Sequence, residues 1–174
     1  MQVPIYSADE EQKLMATMWS PQVKNDPVAF VRMAFPWGKA GTPLEHFTGP
    51  RKWQLEVLQD LKEHIRLNGG KIDYETFRMA TSSGRGIGKS ALVSWLVIWM
   101  LTTRIGSTTI VSANSEAQLR SVTWAEITKW LSMSLNSHWF EVSATRVLPA
   151  KWIAELVERD LKLGTRYWGV EGRL

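Results

Sequence analysis

The sequence predicts an α/β fold, a largely parallel sheet flanked by helices, and three observations carry that expectation. Short stretches rich in β-branched and aromatic residues, at 77–81 (FRMAT), 107–113 (STTIVSA) and 167–170 (YWGV), alternate with longer segments whose apolar residues recur at helical spacing. Strands separated by helices imply crossover connections and hence parallel neighbours. The segment 91–101 (ALVSWLVIWML) is apolar on every side, which calls for burial against more than one layer. The chain has 174 residues, 44% of them hydrophobic, enough for one sizeable core.

Taken in order, Ser7-Ala8-Asp9-Glu10 has the form of a capping box, and Leu14, Met15, Met18 and Trp19 then make one apolar face of a helix ending near Ser20-Pro21. A second helix is expected from Pro27, after Asp26, through Phe30, Val31 and Ala34 until Pro36-Trp37-Gly38 stops it. Gly38, Gly41, Pro43, Gly49 and Pro50 mark a loop. A longer helix follows, with Trp53, Val57, Leu58, Leu61 and Ile65 on one face and Gly69-Gly70 at its end. Beyond the strand at 107–113, Ser115 and Gln118 cap a helix that buries Leu119, Val122, Ile127, Trp130 and Leu131. Residues 139–142 form a short strand, and Pro149 opens a helix through Ile153, Leu156 and Val157.

The stretch 77–100 orders a strand, a glycine loop, Gly88-Lys89-Ser90 and a helix, which is the context a phosphate-binding loop requires. Glycines let backbone N–H groups curl round phosphate oxygens, and the helix that follows turns its positive end toward them. The loop would comprise Ser83, Gly84, Arg85, Gly86, Ile87, Gly88, Lys89 and Ser90. Lys89 would reach the β- and γ-phosphates, and the Ser90 hydroxyl would hold Mg2+. Ser83 stands where G-x-x-x-x-G-K-[ST] has its first glycine. Taken alone, the Gly-Lys-Ser tripeptide reads first as a simple helix cap; the three glycines, the strand before it and the helix after it favour phosphate.

No cysteine occurs, so disulfides and thiolate metal sites are excluded. The run 91–101 falls well short of the roughly 20 residues that cross a bilayer. With no charged-then-apolar leader at the start, an intracellular home is expected. Net charge is +4 and uneven: residues 1–70 hold eight acids and eight bases, residues 71–174 thirteen bases and nine acids. No acid lies between Glu75 and Glu116, so Arg78, Arg85, Lys89 and Arg104 share a locally positive stretch. That suits an anionic ligand, although for Arg78 and Arg104 a solvated basic face is the first reading.

Gln54, at the start of a helix before the glycine loop, carries an amide donor and a carbonyl acceptor that could meet an adenine edge. As an isolated residue it reads first as a surface glutamine, and Trp53 is a core residue before it is a base-stacking platform. Together the segments FVRMAFPWG, GPRKWQLEVL, TSSGRGIGKS and TTIVSANSEAQLRSVTWAEI resemble the beginning of the large terminase subunit of tailed bacteriophages, the ATPase of the DNA-packaging motor. The resemblance covers about residues 28–135. It implies a P-loop NTPase fold of the helicase-and-recombinase-like group, ATP with Mg2+ as ligand and cofactor, Arg85 acting on the γ-phosphate, and Gln54 on adenine. It also implies residues 1–48 as a helical lead-in and 49–174 as the N-terminal portion of the ATPase domain, incomplete at its C-terminal side.

The same resemblance implies double-stranded viral DNA, portal protein and small terminase subunit as partners, a homo-oligomeric ring on the portal, and the host cytoplasm as location. The family's second nucleotide motif, a strand ending in Asp-Glu, has no counterpart after the loop; the one Asp-Glu pair, Asp9-Glu10, is accounted for as a helix start. The family's carboxylate-rich endonuclease domain is also missing, so the chain is expected to be part of a longer motor protein. A helicase-like DNA translocase, a non-catalytic docking module for portal or small terminase subunit, and, more weakly, a kinase are the competing readings.

Overall fold

A computed structural model describes residues 6–69, 74–82 and 84–173. Three helices come first: α1 (Ala8–Met18), α2 (Pro21–Lys24) and α3 (Pro27–Ala34). α1 and α3 begin where the sequence predicts, whereas Ser20-Pro21, expected only to end the first helix, also opens the short α2. The Ser7 N–H donates to Glu10 Oε2 at 2.8 Å while the Glu10 N–H donates to Ser7 Oγ at 3.4 Å. Ser20 and Asp26 accept from the backbone of Val23 and Ala29, ahead of Pro21 and Pro27 in their first turns. α4 (Lys52–Asn68) and α5 (Lys89–Thr103) follow, then β1 (Thr108–Val111).

A helical stretch comes next, made of α6 (Glu116–Gln118), π-helical Leu119–Trp124 and α7 (Ala125–Met133). The π-turn adds a residue to the helical repeat and rotates the apolar face. Leu119, Ile127, Trp130 and Leu131 are therefore buried as expected, whereas Val122 points to solvent. The chain closes with β2 (Phe140–Val142), β3 (Arg146–Pro149), α8 (Lys151–Leu156), a π-helical turn at Val157–Leu161, and β4 (Gly169–Gly172).

The sheet runs β1-β4-β3-β2. β1 and β4 pair in parallel, but β4 with β3 and β3 with β2 are antiparallel, so the sheet is mixed and not largely parallel. The cause is a hairpin at 143–145 that carries no glycine or asparagine signal. Ser143 makes the turn with its own side chain, Oγ accepting from the Arg146 N–H at 3.1 Å, and its N–H donates to Arg146 O. Pro149 consequently ends β3 instead of opening α8. The strand expected at 77–81 is also absent: residues 74–82 are irregular and mostly exposed. They lie against α4, where the His64 ring meets Tyr74 and Phe77 and His64 Nε2 bonds Glu75 O at 2.7 Å. β1 is thus an edge of the described sheet.

α5 is the centre of the core. It packs on α7, α3 and α2 and on strands β1 and β4, which explains its all-round apolar sequence. Trp95 and Trp99 are both buried. Its last carbonyls, which have no partner inside the helix, take indole donors: Trp168 Nε1 reaches Leu101 O at 2.7 Å and Trp19 Nε1 reaches Thr102 O at 3.1 Å. The described part of 1–48 belongs to the same core, through Met18, Val23, Phe30 and Ala34. Among the described residues no helix is long and apolar enough to cross a membrane.

Candidate functional site

The glycine loop leads directly into α5, and its backbone does what its glycines allow. Gly86 and Gly88 adopt φ of +76° and +91°, the left-handed region that side-chain-bearing residues avoid. Gly88 is the N-cap of α5, and no side chain caps that end of the helix. Lys89, the first helical residue, folds its ammonium back to donate to Gly84 O at 2.8 Å, closing the loop on itself. Gly84, Arg85, Gly86 and Ser90 are exposed, while Ile87, Gly88 and Lys89 are half-buried. Ser83 lies outside the described residues.

The other side of the loop is held by the start of α4. Arg51 Nη1 donates to Gly86 O at 3.2 Å, Trp53 Nε1 to Ile87 O at 3.2 Å, and Gln54 Nε2 to Gly88 O at 2.8 Å. Three consecutive carbonyls are therefore bonded by three side chains from one helix terminus. Gln54 is only 3% exposed, and its carbonyl accepts the Arg51 N–H at 2.8 Å. The acceptor and one amide hydrogen that could have met an adenine edge are engaged by protein. Gly88 is packed so tightly here that a Cβ would lie 2.6 Å from Gln54 Nε2.

The sequence brought out Gln54 and the loop, and the structure puts them in contact. It did not bring out Arg51, and it offered Trp53 as a core residue or a base-stacking platform, not as a donor to the loop; the available signal was their position beside Gln54 at the same helix start. Next to this contact a cleft of about 280 Å³ runs between α5, α7 and residues 37–54, walled by Trp37, Trp95 and Trp130. Glu126 and Lys129 also line it, with Glu126 Oε1 accepting the Trp130 indole N–H at 2.8 Å.

Arg104 does not join the loop. It sits at the opposite end of α5, about 22 Å away at 1.5 Å per residue. Its guanidinium lies 4.7 Å from the Trp99 ring centroid and donates to Lys24 O at 2.6 Å. Burial there pushes its pKa down from the usual arginine range, the opposite of what a carboxylate partner would do. Arg78 is exposed. Among the described residues no group of three or more His, Asp or Glu is placed to hold a metal ion. A magnesium ion that keeps its waters and binds mainly through substrate phosphates needs few protein ligands, and the exposed Ser90 hydroxyl at the start of α5 is compatible with that role.

No protein-family model, curated protein or solved structure matches the chain.

Proposed function

We propose that this chain is the ATP-binding portion of a DNA-packaging motor of the terminase large-subunit kind, which couples ATP hydrolysis to movement of double-stranded DNA into a procapsid. The observation that carries this reading is the loop itself: two left-handed glycines, carbonyls drawn to α4, and a lysine at the first position of a buried helix. Such a loop presents backbone donors and the positive end of α5 to an anion. Lys89 exchanges its bond to Gly84 O for phosphate oxygens, and the exposed Arg85 offsets charge that develops on the γ-phosphate. Magnesium, bound through Ser90, supplies further charge compensation on the phosphates. The portal, the small terminase subunit and a ring of copies on the portal are the partners this reading brings with it.

The test is hydrolysis of ATP by the chain in its complete protein, with and without double-stranded DNA. Lys89→Ala should abolish ATP-driven work. Unchanged hydrolysis in that variant would remove the loop from catalysis. One observation favours a second reading, a non-catalytic docking module: the residues entering the loop are exposed and irregular, so the loop is held from α4 and not from a strand. Absence of measurable nucleotide affinity in the complete protein would select that reading, in which the loop is vestigial.

A further inference from the structure

We infer that Arg51, Trp53 and Gln54 are positioning residues that set the shape of the phosphate loop, and that Gln54 acts on affinity for the polyphosphate chain, not on choice of base. This rests on the nucleotide-binding reading above and assigns a role within that site.

In a planar trans peptide the C=O of one residue and the N–H of the next point in opposite directions. No cis bond occurs among the described residues. Holding the carbonyls of Gly86, Ile87 and Gly88 against α4 therefore turns the N–H groups of Ile87, Gly88 and Lys89 to the opposite side of the loop. Those are the amides that a phosphate would meet. Loop glycines have the largest conformational freedom of any residue, so an unheld loop would sample many orientations and bind an anion only in some of them. The three side-chain bonds remove that freedom in advance.

Gln54 is the firmest of the three. Its bond is the shortest at 2.8 Å, its side chain is buried, and its orientation is set by the Arg51 N–H on its carbonyl. The O and N of an amide are told apart by such partners, and here a carbonyl on one side and an N–H on the other leave one assignment. Gly88 O also accepts the Leu92 N–H at 3.1 Å, so the same oxygen joins the loop, α4 and the first turn of α5.

The experiment uses three ligands on the complete protein with magnesium present: ATP, GTP and inorganic tripolyphosphate, which has no base. The variants are Gln54→Met, which keeps the length of the side chain and loses the donor, and Trp53→Phe, which keeps a ring and loses the indole N–H. Titration calorimetry should show affinity for all three ligands falling by the same factor, about five- to tenfold for Gln54→Met, the worth of one hydrogen bond. The ratio of ATP to GTP affinity should not change. Amide hydrogen exchange at residues 87–89 should speed up in both variants while the interior of α5 stays protected, which separates loop release from loss of the fold. Unaltered tripolyphosphate affinity with a collapsed ATP-to-GTP ratio would overturn the inference and make Gln54 a base reader. A complete wild-type protein that binds none of the three ligands would instead refute the nucleotide-binding reading, and this inference with it.

Discussion

Replacing Gly88 by alanine probes the point where loop, α4 and α5 meet. Two costs can be worked from the structure. The residue has φ +91° and ψ +25°, a conformation that costs an L-residue about 1–2 kcal/mol. The new methyl would lie 2.6 Å from Gln54 Nε2, so the amide must swing away and give up its bond to Gly88 O, about 1 kcal/mol more. Together they predict a loss of about 2–3 kcal/mol. Gly86 supplies the control, because its φ is +76° but nothing lies within 4 Å of a Cβ there. Gly86→Ala should therefore cost only the backbone part, about 1–2 kcal/mol. Urea unfolding followed by tryptophan fluorescence measures both, and a chain of this size should lose about 2–4 °C of melting temperature per kcal/mol. If Gly88→Ala is no more destabilising than Gly86→Ala, the contact with Gln54 does not hold the loop.

Arg85→Ala should lower ATP turnover more than nucleotide affinity, since its proposed partner is the γ-phosphate during transfer; steady-state kinetics beside equilibrium binding separates the two. Trp168→Phe removes the donor to Leu101 O from a side chain that is 1% exposed, and should cost at least about 2 kcal/mol, read from the urea midpoint at unchanged slope. Glu171 accepts from Arg173 and from Arg146 across β3 and β4, and these bonds hold its carboxyl below the usual carboxylate range. A depressed folded-state pKa means that its contribution to stability is present above the ordinary glutamate pKa of about 4.3 and is lost as pH falls through the folded value. Glu171→Gln should flatten the acid side of the stability profile, and a carboxyl carbon titration by NMR should place Glu171 below the ordinary glutamate pKa.

Helix starts were legible because they are local. Ser7 with Glu10, Asp26 with Pro27, and Ser115 with Gln118 each needed only three or four adjacent residues to announce a cap, and each forms one. The burial of α5 was legible for a similar reason, since a helix apolar on all faces has no other stable place. Strand partners were not legible in the same way. Residues 107–113 and 167–170 announced strands, and the structure pairs β1 with β4 in parallel within that region, yet Arg146–Pro149 gave no period-2 signal and its turn is built by a serine side chain. Residues 77–81 carried strand-like composition, but the contacts of Tyr74 and Phe77 with His64 on α4 decide their path. At the candidate site, glycines and Lys89 were visible because their conformational and charge requirements are intrinsic to the residue. The roles of Arg51, Trp53 and Gln54 depend on contacts 34 or 35 residues away in sequence, which no local pattern encodes.

The claim that the loop at 84–90 receives the phosphates of a nucleotide is tested most directly by following backbone amide resonances as magnesium and ATP are added to the complete protein. Binding there predicts large shifts for Gly84, Gly86, Ile87, Gly88, Lys89 and Ser90, the same shifts on adding magnesium tripolyphosphate, and none in Lys89→Ala at the same concentrations. Amides of Gly84–Ser90 that stay in place at millimolar ligand, or that move only with ligands lacking phosphate, would contradict it.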